Sequence, residues 1–92
     1  MTFTVEFSAE GRKDFKRLDE SRKRLIAARI EELASNPYDP RISDRLESLE
    51  GLRKSRVGDR RIIFVVNQTA RVIEVVTIRP RGQAYRKLRR KL

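Results

Sequence analysis

The chain of 92 residues contains no histidine, no cysteine and no tryptophan, and it has only four glycines and three prolines. Without cysteine it can hold neither a disulfide framework nor a thiolate zinc site, and without histidine it lacks the commonest metal ligand and general base. We therefore expect no metal and no other cofactor. Because no stretch approaches the ~20 apolar residues of a membrane span and no secretion signal is recognisable, we expect a cytoplasmic protein that does not bind membranes.

Acidic residues are also scarce in one part of the chain. Residues 1–50 carry 10 Lys or Arg against 11 Asp or Glu, whereas residues 51–92 carry 13 against 2. The second segment therefore has a net charge of +11 and repels itself unless a polyanion shares that charge. Nucleic acid is the partner that this distribution favours.

The apolar pattern predicts an α+β domain that begins with a strand and two helices. Phe3, Val5 and Phe7 alternate with polar residues, as in a half-buried strand. A short helix over residues 9–18 follows, with Ser8 as its N-cap, and a stronger helix opens at Asp19 and ends before Asn36-Pro37. The two helices are expected to form an antiparallel hairpin that needs a sheet to cover its apolar face.

The second half predicts a small sheet packed on those helices. Residues 38–50 contain Pro40 and mixed charge and are expected to form a loop, with at most one helical turn near residues 45–49. After Gly51, three strands are predicted over residues 52–57, 60–67 and 71–79, as an antiparallel meander. After the meander, residues 83–92 are either a short basic helix or a frayed tail.

A cationic cluster follows from the turn between the first two strands of the meander. Gly58-Asp59 fits a type II′ hairpin turn. Arg56 should therefore oppose Arg61, and Lys54 should oppose Ile63. Lys54, Arg56 and Arg61 then project from one side of the sheet, where an anion would relieve their repulsion. The alternative is that these long side chains simply extend into solvent.

Whether Arg79 joins this cluster depends on the last turn of the meander. A three-residue loop over 68–70 would bring Arg79 to the same side as Arg61, and a two-residue loop would send it to the other side. Arg79 also begins a segment that reads Arg79-Pro80-Arg81-Gly82-Gln83-Ala84-Tyr85. Its arginines can bind phosphate, and Tyr85 can either exchange a proton and stack on a base or anchor a terminal helix.

Two runs together carry a family resemblance. They are Leu49-Glu50-Gly51-Leu52-Arg53-Lys54-Ser55-Arg56-Val57-Gly58-Asp59-Arg60-Arg61-Ile62-Ile63-Phe64 and the segment from Arg79 to Tyr85. The sequence resembles RelE-type toxins of the RelE/ParE superfamily, along essentially all 92 residues. The resemblance implies a single RelE-like domain over 1–92. It departs from the family at Arg60, where the family often has Tyr.

That resemblance implies a toxin that cuts messenger RNA in the decoding (A) site of the ribosome and is neutralised by an acidic, RelB-like antitoxin in a heteromeric complex. RNA carries its own nucleophile, so a metal-free protein can cleave it by orienting the 2′-hydroxyl and neutralising the developing charge. Tyr85 or Lys54 would be the base, Arg56 and Arg61 the phosphate ligands, and Arg81 or Arg79 the stabiliser of the leaving oxygen. The expected catalytic residues are Lys54, Arg56, Arg61, Arg81 and Tyr85, and the expected RNA-binding residues are Arg53, Arg79, Arg86, Lys87, Arg89 and Arg90.

Two other functions remain open on the sequence. ParE-type toxins of the same superfamily inhibit DNA gyrase and do not cut RNA. The residues that argue against that branch are Lys54, Arg56, Arg61, Arg81 and Tyr85. A non-catalytic RNA-binding module would bind RNA in a salt-dependent way without producing cleaved product.

Overall fold

The protein is described here by a computed structural model that covers residues 2–46 and 51–80. Its elements within those ranges confirm the predicted α+β class. In chain order they are β1 (Thr4–Phe7), α1 (Ala9–Arg17), α2 (Glu20–Ser35), β2 (Asp44–Arg45), β3 (Leu52–Val57), β4 (Arg60–Asn67) and β5 (Val72–Pro80).

The strands form one mixed sheet in the order β1-β5-β4-β3-β2. β1 runs parallel to β5, and the remaining neighbours are antiparallel. Both helices cover one face, where Leu18, Ile26 and Leu33 pack against Ile62, Phe64 and other buried residues of β4 and β5. A smaller apolar cluster around Ile63 and Leu46 lies on the opposite face. Lys54, Arg56 and Arg61 therefore lie on the side of β3 and β4 that faces away from the helices.

Local signals at the first helix explain how it docks. Ser8 is the N-cap, as predicted, and its hydroxyl accepts a hydrogen bond from the Gly11 N–H at 2.9 Å. A Cβ at Gly11 would lie 2.4 Å from the Val75 carbonyl oxygen, so α1 approaches β5 more closely than any side chain would allow. α1 thereby covers β5 beyond the point where β1 ends.

The predicted loop over residues 38–50 was wrong in one respect, because it contains the edge strand β2. This strand is only two residues long, and its Asp44 and Arg45 pair with Lys54 and Arg53 of β3. The next residue, Leu46, is buried and its N–H donates to the Leu52 carbonyl at 2.9 Å, which fixes the segment to the sheet. The helical turn predicted near 45–49 is absent at Arg45, and residues 47–50 lie outside the described ranges.

The first turn of the meander matches its prediction. Arg56 pairs with Arg61, and Lys54 with Ile63. Gly58 has a φ of +59°, whereas Asp59 has a negative φ. This combination distinguishes type II′ from type I′, which needs a positive φ at both central residues.

The last turn of the meander is longer than predicted. It extends through Arg71, whose φ is +58°, and β5 begins at Val72, so four residues separate the strands instead of three. A four-residue turn alone would place Arg79 on the other face from Arg61, but the register shifts by one between Ile63 and Phe64. This bulge restores the alternation, and Arg79 lies directly opposite Arg61.

The predicted basic helix or tail over 83–92 lies outside the described residues. Within the described ranges, neither helix is long and apolar enough to cross a membrane.

Candidate nucleic-acid interface

Three of the predicted catalytic residues lie together. Lys54 and Arg56 alternate along β3, and Arg61 of β4 is the cross-strand partner of Arg56. All three line a single cavity of about 480 Å³ at the open edge of β3, where β2 stops pairing. This volume lies within the ~300–1,000 Å³ of small-molecule pockets and is large enough for a nucleotide. The predicted grouping of Lys54, Arg56 and Arg61 on one side of the sheet is therefore present in the structure.

The same cavity contains four residues that the sequence did not predict for the site. Arg29 comes from α2, and Arg41, Ile42 and Asp44 come from the segment leading into β2. Among residues 2–46 and 51–80, the lining thus has five cationic side chains and one carboxylate. We call this set the cationic cavity: Arg29, Arg41, Ile42, Asp44, Lys54, Arg56 and Arg61. No periodicity links α2 to the edge of β3, so only the tertiary fold reveals these additional residues.

Arg29 is held firmly at the rim of the cationic cavity. Its Nη1 donates to the Ser55 hydroxyl at 2.9 Å and to the Arg56 carbonyl at 2.7 Å, and its Nε donates to Glu32 at 3.0 Å. The Arg29 side chain is only 22% exposed. It therefore connects α2 to β3 and fixes the strand that carries Lys54 and Arg56.

Arg41 occupies the outer side of the cavity. Its guanidinium bonds Asp39 in a two-point contact, at 3.2 Å through Nε and 2.8 Å through Nη2. These hydrogen bonds lower the pKa of Asp39 and raise that of Arg41. Because Arg41 is largely exposed, solvent screens its charge more than that of the buried Arg61.

Arg79 shares a face with Arg61 by register, but its guanidinium is bound elsewhere. Nη2 forms an ion pair with Glu10, and Nε lies 3.4 Å from the Asp14 carboxylate. Asp14 is buried and also accepts hydrogen bonds from the Thr77 hydroxyl at 2.6 Å and the Ile78 N–H at 2.9 Å. We call Glu10, Asp14, Thr77 and Arg79 the α1–β5 corner. The structure does not bring Arg79 into the cationic cavity.

Arg53, predicted to bind RNA, is also separate from the cavity. It pairs with the core residue Phe64 across the strands and therefore points to the helix side. Its Nε donates to the Ser43 hydroxyl at 2.8 Å, and its guanidinium lies 5.1 Å from the centre of the Tyr38 ring. These contacts attach the segment before β2 to β3. The predicted role of Arg53 in RNA binding stays a prediction.

Six of the predicted site residues lie outside the described ranges. They are Arg81, Tyr85, Arg86, Lys87, Arg89 and Arg90. β5 carries the chain to Pro80 directly beside Arg60 of β4.

The cationic cavity suits the stabilisation of phosphate charge. Guanidinium groups donate planar, paired hydrogen bonds to phosphate oxygens, and a partly enclosed site strengthens each of these interactions. Among the residues that the structure describes, no group of three or more acidic side chains could hold a metal ion. Lys54 and the arginines of the cavity can stabilise the charge of a bound anion.

The fold is similar to that of solved bacterial and archaeal toxins. The free E. coli toxin RelE, with two arginines replaced by alanine, matches with a TM-score of 0.81 and 15% identity over 100% of each chain. In the RelE–RelB complex of Pyrococcus horikoshii, the match has a TM-score of 0.76 and 26% identity, over 90% of this chain and 99% of that one. In the intact E. coli RelBE toxin–antitoxin complex, the values are 0.76 and 14%, over 85% and 95%.

The sequence itself matches one family model over residues 5–85, and the family is described as the ParE toxin of type II toxin–antitoxin systems. No curated protein sequence matches this chain. The family match extends over most of the chain, from β1 past the end of β5. The chain is therefore a member of the ParE toxin family of type II toxin–antitoxin systems, within the RelE/ParE superfamily and with a RelE-like fold.

Proposed function

We propose that this toxin is a metal-independent endoribonuclease that cleaves messenger RNA in the A site of the ribosome and so inhibits translation in the cytoplasm. The observation that carries the proposal is the cationic cavity, where Lys54, Arg56 and Arg61 converge from two strands. Cross-strand cations normally destabilise a sheet, by up to ~1 kcal/mol for a directly opposed pair. Their concentration around one cavity is typical of a site that binds phosphate.

The proposed reaction uses the RNA as its own nucleophile. A base removes the proton from the 2′-hydroxyl, the 2′-oxygen attacks the adjacent phosphorus, and the bond to the 5′-oxygen breaks, which leaves a 2′,3′-cyclic phosphate. Arg61 and Arg56 stabilise the charge that develops on the phosphate oxygens. Lys54 or Tyr85 is the base, and Arg81 stabilises the leaving oxygen. The ribosome presents the message in a conformation that aligns the 2′-oxygen with the scissile bond.

The proposed regulator is an acidic, RelB-like antitoxin that forms a heteromeric complex with this chain. Two of the similar solved structures, from P. horikoshii and E. coli, contain the toxin in complex with its antitoxin. The net charge of +10 favours an acidic partner, and complementary charge accelerates association. Such an antitoxin would silence the toxin by neutralising or covering the cationic cavity.

A second candidate function is inhibition of DNA gyrase, and the match to the ParE family model favours it. The cationic cavity argues for the nuclease instead, because gyrase inhibition requires no phosphate-cleaving site. The two functions differ in a simple assay. A gyrase inhibitor blocks supercoiling of plasmid DNA by purified gyrase and leaves messenger RNA intact.

Primer extension on a message in a cell-free translation system tests the proposal. We expect wild-type toxin to produce breaks within translated codons only when ribosomes are present. Arg61→Ala and Tyr85→Phe should weaken these breaks, whereas Arg24→Ala, which removes an exposed arginine of α2, should not. An intact message together with blocked supercoiling would establish the gyrase function, and an intact message with normal supercoiling would leave an RNA-binding module.

A further inference from the structure

Arg29 uses only part of its hydrogen-bonding capacity within the fold. A guanidinium has five N–H donors, one on Nε and two on each terminal nitrogen. The Nε donor binds Glu32, and the two Nη1 donors bind the Ser55 hydroxyl and the Arg56 carbonyl. No residue in the described ranges accepts a hydrogen bond from Nη2. With respect to residues 2–46 and 51–80, two donors therefore remain on a side chain that lines the cationic cavity.

The three occupied donors hold the Arg29 side chain in place before any ligand binds. A long side chain normally loses considerable conformational entropy when it binds a ligand. Arg29 has already lost that freedom, because contacts at 2.7–3.0 Å to a helix neighbour and to β3 hold its guanidinium in place. Its Nη2 donors are thus oriented before an anion arrives, which reduces the entropic cost of binding.

We infer that Arg29 is a further RNA-binding residue, which donates from Nη2 to a backbone phosphate of an RNA strand that enters the cationic cavity over the open edge of β3. This inference rests on the proposed function. It adds one phosphate-binding residue from α2 to Lys54, Arg56 and Arg61 of the sheet. The edge is accessible because β2 pairs with β3 only as far as Lys54. Beyond Lys54, Arg29 binds β3 through the Arg56 carbonyl and the Ser55 hydroxyl.

A purely structural role is the alternative, since Arg29 also connects α2 to β3. Salt dependence separates the two roles. Each phosphate contact to single-stranded nucleic acid contributes about 0.7 to the slope of log K against log salt concentration. A residue that only supports the fold contributes to thermal stability but not directly to that slope.

The test is binding of the full-length toxin to a short single-stranded RNA with 2′-O-methyl groups, which cannot be cleaved, from 50 to 200 mM NaCl. For Arg29→Ala we expect about tenfold weaker binding at the lowest salt and a slope smaller by about 0.7. Arg29→Lys should keep most of the slope but bind more weakly, because an ammonium cannot hold Ser55 and a phosphate together. Arg24→Ala is the matched control on the same helix and should match the wild type.

Ser55→Ala removes one anchor of Arg29 without removing its charge. It should lower the melting temperature and weaken binding slightly, with the wild-type slope. If Arg29→Ala lowers only the melting temperature and keeps the wild-type slope, Arg29 is structural and the inference is overturned. If the wild type itself shows no salt-dependent RNA binding, this inference is overturned, whereas the proposed function fails only if ribosome-dependent cleavage is absent, so the two failures are distinguishable.

Discussion

Arg61 and Arg79 lie directly opposite each other on neighbouring strands, yet their surroundings differ. Arg61 lines a cavity with four other cations and one carboxylate, whereas Arg79 is bound by two carboxylates of α1. Two arginines that pair across neighbouring strands therefore have different electrostatic environments. The difference arises from Glu10 and Asp14, which precede Arg79 by more than sixty residues in the sequence. A basic segment thus contains both cations that line a shared cavity and a cation that is paired with acids from a distant helix.

The largest effect, a loss of folding stability, is expected from a substitution that disrupts the α1–β5 corner. Asp14→Ala removes the acceptor for Thr77, for the Ile78 N–H and for Arg79, and leaves the mostly buried Arg79 charge with less compensation. We expect a loss of about 3 kcal/mol in the free energy of unfolding. Urea denaturation followed by circular dichroism measures it. Glu31→Ala, at an exposed position of α2, should change stability by less than about 0.5 kcal/mol.

The next effect concerns cleavage and contrasts the two opposed arginines. Arg61→Met keeps most of the volume but removes the donors to phosphate, so we expect ribosome-dependent cleavage to fall by about 10²-fold. Arg79→Met should keep the cleavage rate per folded molecule within about threefold, and lower stability instead. Single-turnover cleavage and urea denaturation of both variants provide the comparison. Equal losses of cleavage in the two variants would show that the α1–β5 corner belongs to the catalytic machinery.

A smaller effect, a gain in RNA affinity, is expected from removing the charge of Asp44, the carboxylate of the cationic cavity. Asp44 opposes Lys54 across β2 and β3, and it repels a bound phosphate. Asp44→Asn should therefore tighten binding of the 2′-O-methyl RNA by about two- to fivefold at 50 mM NaCl, with less effect at 200 mM. Glu31→Gln changes the net charge equally, at an exposed residue that does not line the cavity. If both variants tighten binding equally, only the overall charge matters and the local role of Asp44 is wrong.

The smallest effect is expected at an exposed ion pair away from both regions. Arg22 donates to Asp59 from Nε at 3.1 Å and from Nη2 at 2.9 Å, and this hydrogen bonding lowers the pKa of Asp59. The ionised form is thus favoured in the folded state. Its contribution to stability is present above the unfolded pKa of about 3.9 and disappears as the pH falls through the lower folded pKa.

Asp59→Asn should accordingly be slightly less stable than the wild type at pH 7, and the difference should vanish in acid, below the folded pKa. Thermal melts at several pH values measure the trend. A difference that persists unchanged at the lowest pH would mean that the turn conformation, and not the ion pair, depends on Asp59.

Much of this fold follows from local signals in the sequence. The caps at Ser8 and Asp19, the break at Asn36-Pro37 and the Gly58-Asp59 turn define the helices and the central hairpin. β2 was missed because two residues have no periodicity, and its position depends on burial of Leu46. The bulge opposite Ile63 was missed because alternation alone cannot show an added residue within a strand.

The candidate site was predictable only where one hairpin carries it. Lys54, Arg56 and Arg61 follow from a single two-residue turn, so their grouping could be read from the sequence. Arg29 and Asp44 reach the cavity through packing of α2 and β2 on β3, which no local pattern encodes. The pairing of Arg79 with Glu10 likewise depends on the close approach of α1 to β5 at Gly11.

The most direct test of the proposed chemistry uses ribosomes programmed with one of two messages that differ only in the A-site codon. One message is ordinary RNA, and the other carries 2′-deoxynucleotides in that codon. Because the 2′-hydroxyl is the proposed nucleophile, we predict that wild-type toxin cuts the first message and leaves the second intact. Cleavage of both messages would contradict the 2′-hydroxyl mechanism, and cleavage of neither would contradict the nuclease itself.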